Sequence, residues 1–147
     1  MATRHQVRVA VVGMLYAVEI GNAATLEKPE PYLEENKIRG KNADWAKTLL
    51  RGTLEQKEVL DGLIKEQLKN WEMERLGAIE RAILRLGTYE MFHTDTDAPV
   101  IINEAVEMAK ELADDSSPSF INGILDALRK QKPAKPATSE ETEKGES

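Results

Sequence analysis

Arg4, His5, Gln6 and Arg8 crowd the first turns of an apolar-periodic segment, with Tyr16 two turns further on. At helical spacing Arg4 and Arg8 are i, i+4 neighbours and project from one face. Positive charge near a helix N-terminus opposes the helix dipole, and a bound phosphate is one group that would offset the mismatch. Two arginines are a thin signal for nucleic acid, and an ordinary solvated surface is the plain alternative. Phe120 is the second residue of interest. Ile121, Ile124, Leu125 and Leu128 mark the buried stripe of its helix, and Phe120 lies one position, about 100°, off the leading edge. A ring there serves either as part of the core or as a platform for an unpaired base.

The other polar clusters offer less. Asp95-Thr96-Asp97 opens like a calcium loop, but Pro99 and the missing later Gly and Glu break the pattern and leave a helix cap. Asp114-Asp115-Ser116-Ser117 reads as a solvated loop followed by a cap. Glu34-Glu35 reads as a charged surface. His5 and His93 stand 88 positions apart, so a histidine pair on one helix is excluded. The absence of cysteine excludes disulfides, thiolate zinc and thiol nucleophiles. Neither a Gly-rich phosphate loop nor a Gly-x-Ser-x-Gly elbow occurs. No enzymatic activity, metal or cofactor is expected.

The elements that must position these residues read as helices. Val7, Ala10, Val11, Met14, Leu15 and Val18 form one stripe, with Thr3 to cap its start and Gly21 to end it. Pro31 opens a short helix to about Asn36. Asn42 is expected to cap a long segment running through Trp45, Leu49, Leu50, Leu54, Leu60, Leu63 and Ile64 to about Leu68, with Gly52 and Gly62 as its weak points. Leu76 to Phe92 is apolar on more than one face, the pattern of a central buried helix. Asp97 with Pro99, and Ser117 with Pro118, start two further helices. The expected fold is all-α, a bundle of six or seven helices with short loops.

The chain has 147 residues, enough for one domain, and a formal charge of −6. Residues 131–147 carry three lysines, four glutamates and only two apolar residues, so they are expected to form a disordered tail, leaving a folded body of residues 1–130 at −5. That acidity excludes a protein that coats nucleic acid all over, yet permits a local basic site. No apolar run is long enough to span a bilayer, and the N-terminus shows no signal-peptide core, so no membrane association and a cytoplasmic location are expected.

Three ordered motifs then resemble the NusB family. They are Gly77-x-x-Glu80-Arg81-Ala82-Ile83-Leu84-Arg85-Leu86-x-x-Tyr89-Glu90, Ile102-Asn103-Glu104-Ala105-Val106-Glu107-Met108-Ala109-Lys110, and Phe120-Ile121-Asn122-Gly123-Ile124-Leu125-Asp126. The Arg-x-x-x-Arg stretch leading to Leu15-Tyr16 fits the same family. The resemblance implies a NusB-like bundle of about seven helices in two three-helix halves, without catalysis. It implies a transcription antitermination factor that binds single-stranded boxA RNA together with ribosomal protein NusE, acting on RNA polymerase with other Nus factors. Family roles carry over to Arg4, His5, Arg8, Tyr16, Ser116 and Phe120 for RNA, and to Tyr16, Glu74 and Glu80 for NusE. Members often carry more arginines in the first stretch, and often an acid where this chain has Ser116. Asn103 and Asn122 are expected to be buried, bonding backbone at helix junctions, and Arg85 and Glu90 to belong to internal polar networks.

Two alternatives stay open at this level. A self-associating homodimer would cover or weaken the RNA face. A detached RNA-binding domain of a ribosomal RNA methyltransferase would need a catalytic domain with a cysteine, and no cysteine occurs here.

Overall fold

The computed structural model describes residues 2–68 and 73–131, all of them helical or in short connections. Thr3 caps α1 (Arg4–Glu19) as expected. Its hydroxyl accepts from the Gln6 N–H while the Gln6 side chain accepts from the Thr3 N–H, so two orphan donors are satisfied reciprocally. Gly21, at φ 110°, follows the end of the helix. Two short helices follow, α2 (Ala24–Glu27) and α3 (Glu30–Glu35).

The long segment expected from Asn42 to Leu68 is two helices, α4 (Lys41–Glu55) and α5 (Lys57–Gln67), broken at Gln56 rather than at a glycine. The physical reason lies in packing. α4 lies on α1 while α5 turns to lie on α8, and both touch α6 (Ala78–His93). Gly52 is not a weak point but a clearance, because a Cβ there would overlap the hydroxyl of Tyr89. Asn42 is not the cap of α4 either. Gly40 occupies that position at φ 61°, and the Asn42 amide donates to the Ala2 carbonyl at 3.1 Å.

A 3₁₀ turn, Met73–Arg75, precedes α6. α7 (Ala98–Leu112) starts after Asp97, and α8 (Ser117–Gln131) ends the described chain. The bundle thus has eight α-helices among the described residues. α6 is central, as its all-round apolarity requires. It buries Ala82, Ile83, Leu84, Leu86 and Met91 and packs against α1, α4, α5, α7 and α8. Of the tail expected at 131–147, Gln131 closes α8 and residues 132–147 lie outside the described residues. No helix among the described residues is long and apolar enough to cross a membrane.

Candidate nucleic-acid interface

The two arginines of α1 part company. Arg8 is 2% exposed, and its guanidinium is bidentate on the equally buried Glu90 of α6, Nε to Oε2 at 2.8 Å and Nη2 to Oε1 at 2.9 Å. Glu104 of α7 stands 3.6 Å from Nη1. Burial works against the guanidinium charge, but Glu90 and Glu104 outweigh it and hold the pKa above its ordinary value. The expectation that Arg8 presents its charge to RNA is therefore corrected: both edges of its fork are spent inside the bundle. A sequence signal existed. Arg8 shares a helical row with Val12 and Leu15, and Glu90 shares one with Ile83 and Leu86. A lone charge in an apolar row needs an opposite charge from another element.

Arg4 remains at the surface, and no carboxylate among the described residues pairs with it. Its guanidinium carbon lies 4.6 Å from the ring centre of Trp45 on α4, and that of Arg8 lies 5.1 Å from the same ring. Sequence reasoning placed Trp45 only in the core stripe. The structure leaves it half-buried beneath an arginine, an arrangement that presents a guanidinium plane held by an aromatic backing.

His5 is committed as well. Nδ1 meets Glu104 at 2.8 Å and Nε2 meets Glu111 at 2.6 Å, so the imidazole bridges α1 to α7. Burial opposes its charge, but the hydrogen bonds that the imidazole donates to both carboxylates prevail and raise the pKa above 6.5. With both ring nitrogens engaged, His5 sets the position of α1 instead of offering donors to a ligand.

Tyr16 lies twelve residues from Arg4, about 18 Å along the helix and about 120° around it, so the two do not share one subsite. Tyr16 is 37% exposed and Ile20 61%. Between them in sequence is Glu19, which takes hydrogen bonds from Arg81 and, at 2.7 Å, from Arg85. Arg81 first, with Arg85 adding and burial opposing, holds the Glu19 carboxyl below its ordinary range. Arg85 also clamps Asp61 of α5 at 2.7 and 3.0 Å. Arg85 and Glu90 therefore sit in internal networks as expected, but in two different ones.

Glu80 belongs to the same end of α6, next to Arg81. One carboxylate oxygen accepts from the Gly77 N–H at 2.9 Å and the other from the hydroxyl of Ser117. It joins the starts of α6 and α8. The side chain of Glu74, expected at the same surface, lies outside the described residues.

On α8, Phe120 is half-buried and packed against the core, and Ser116, Asp114 and Asp115 are exposed in the preceding loop. Asn103 and Asn122 are not buried at helix junctions. Both are exposed and line a shallow groove formed by α7 and α8. Among the described residues no cluster of His, Asp and Glu is arranged to hold a metal.

These features define an all-helical module whose surface chemistry is an unpaired arginine on an aromatic backing at one end of α1 and exposed apolar side chains at the other. The NusB family model matches residues 5–130, and the chain belongs to that family. It is 55% identical over 131 residues to the transcription antitermination protein NusB of a Nitratiruptor species, covering 89% of this chain and 94% of that one. Among solved structures it resembles NusB of T. maritima, with a TM-score of 0.78 and 34% identity over 88% of this chain and 92% of that one. It also resembles a chain from a crystal structure of antitermination factors NusB and NusE in complex with dsRNA, with a TM-score of 0.79 and 27% identity over 88% of this chain and 97% of that one.

Proposed function

We propose that this chain is a non-catalytic adaptor in transcription antitermination, binding boxA RNA jointly with ribosomal protein NusE so that RNA polymerase reads through terminators, notably in ribosomal RNA operons. The observation that carries this reading is Arg4, exposed and unpaired on Trp45 in the first turn of α1, within an otherwise acidic chain. A guanidinium plane of this kind takes both a phosphate and an unstacked base. Phe120 and Ser116 on and before α8 add a half-buried aromatic residue and an exposed hydroxyl residue. Tyr16 and Ile20, at the far end of α1 beside the start of α6, offer NusE an exposed apolar surface. Arg8 and His5 act through position, holding α1 against α6 and α7.

The test is RNA binding by the purified chain, with boxA and a scrambled control, each with and without NusE. Binding of boxA over the control, strengthened by NusE and weakened by Arg4→Gln, is expected. Equal affinity for both RNAs in the presence of NusE overturns the reading.

A further inference from the structure

The loop that joins α3 to α4, with the first residue of α4, reads Lys37-Ile38-Arg39-Gly40-Lys41, a basic run in an acidic chain. Ile38 is buried and anchors it, while Lys37, Arg39 and Lys41 point to solvent. Arg39 is taken by Glu34 at 2.7 Å. Lys37 and Lys41 have no ion-pair partner among the described residues.

Two contacts bring this loop to the start of α1. The Asn42 amide holds the Ala2 carbonyl at 3.1 Å, and Lys37 shares a concave surface of about 440 Å³ with Ala2, His5 and Gln6. Lys41 precedes Trp45 by one helical turn, so the two lie on one face of α4. Arg4 lies over that same Trp45. Lys41 and Arg4 therefore both neighbour Trp45, one along α4 and the other over the ring, while the exposed Asp44 is an i, i+3 neighbour of Lys41 and lies about 100° around the helix from Trp45. Lys37 adopts φ 60°, a left-handed conformation in which a lysine is uncommon, so the loop's course is fixed by its anchors and not by local preference. Glu111 also lines the concave surface, but its carboxylate is held by His5.

We propose that the α3–α4 loop and the first turn of α4 form a second half of the RNA grip, in which Lys37 and Lys41 take backbone phosphates next to a nucleotide stacked on the Arg4–Trp45 pair. The inference rests on the RNA-binding reading above and extends it to residues outside α1 and α8. It supplies the charge that α1 lacks once Arg8 is buried. Spaced cations flanking an aromatic-backed plane match the alternation of phosphates and bases in a single strand.

The experiment measures boxA RNA affinity across a salt series for the full chain with NusE, comparing the unsubstituted protein, Arg4→Gln and Lys37→Gln/Lys41→Gln. A single-strand contact contributes about 0.7 to the log–log salt slope, so the double variant should lose about 1.4 and bind roughly tenfold more weakly. In a Trp71→Phe background Trp45 is the only tryptophan, and its fluorescence should be quenched on RNA binding. RNA binding that Arg4→Gln weakens, while the lysine variant keeps its affinity and slope, overturns this inference and leaves the adaptor reading standing. An unquenched Trp45 at saturating RNA overturns the stacking part. Failure of the unsubstituted chain to bind RNA overturns both.

Discussion

Glu80 shows how much one side chain can be asked to do. Its two oxygens serve a helix cap and a buried hydroxyl, and Ser117 is almost fully enclosed. Glu80→Ala leaves the buried Ser117 hydroxyl without its acceptor and undoes the cap on the exposed Gly77 N–H, and should cost about 2 kcal/mol, visible as a melting point lower by several degrees in circular dichroism. An unchanged melting point would show that the carboxylate is free to meet a partner directly. His5 gives a pH prediction. Its pKa is raised in the fold, so its stabilising contribution is fully present below 6.5 and is lost as pH rises through the higher folded value. A neutral imidazole donates through one nitrogen only, which leaves either Glu104 or Glu111 without its donor. The stability difference between the unsubstituted chain and His5→Gln should therefore shrink from pH 6 to pH 9 in urea titrations, and a constant difference would refute the clamp. Thr88 is the opposite case, a fully buried hydroxyl with no hydrogen-bond partner among the described residues. Thr88→Val keeps the shape and removes the polar group, so the urea midpoint should stay level or rise, and a clear fall would reveal a partner.

At the scale of elements, α1 is fastened to α6 by Arg8 and Glu90 at one end and by Glu19 with Arg81 and Arg85 at the other. Removing one partner of a buried pair leaves a bare charge, so Arg8→Ala should cost about 3–5 kcal/mol, whereas Arg8→Met combined with Glu90→Leu should recover most of it. Chemical denaturation of the three proteins measures this, and a double variant as unstable as the single one would mean that Glu104, 3.6 Å from the guanidinium, depends on Arg8 as much as Glu90 does. The helices themselves were readable, because Thr3, the apolar stripes and the proline starts are local signals. What escaped the sequence was relational. Arg8 looked exposed because the carboxylate that claims it lies on α6, 82 positions away. The break at Gln56 follows from α4 and α5 packing on different neighbours, which no residue near 56 announces. Trp45 looked like core because its apolar spacing says nothing about which arginine lies over it. Asn103 and Asn122 were misplaced for the converse reason, since a polar residue beside an apolar stripe reads the same whether it turns inward or out.

Over the whole molecule, the charge of −6 is not evenly available. Arg8, Arg39, Arg81, Arg85 and Arg129 are all engaged with carboxylates, so most of the arginine charge is spent on the fold or on surface pairs. Around the start of α1, the exposed cations without such a partner among the described residues are Arg4, Lys37 and Lys41. If these three make the phosphate contacts, a single strand bound by this chain alone should show a log–log salt slope of about 2, taking about 0.7 per contact. Raising salt from 50 to 200 mM is a fourfold change, so affinity should fall only about twentyfold, much less than for a protein with a full arginine tract. The acidic body adds no contacts, and its repulsion of RNA is screened within about 10 Å at 0.1 M salt, so it slows encounter more than it changes the bound state. Fluorescence anisotropy of labelled RNA across that salt range measures the slope directly. A slope of 4 or more would mean that other cations have joined the site. A slope near zero with binding retained would mean that base stacking, not phosphate contact, holds the strand.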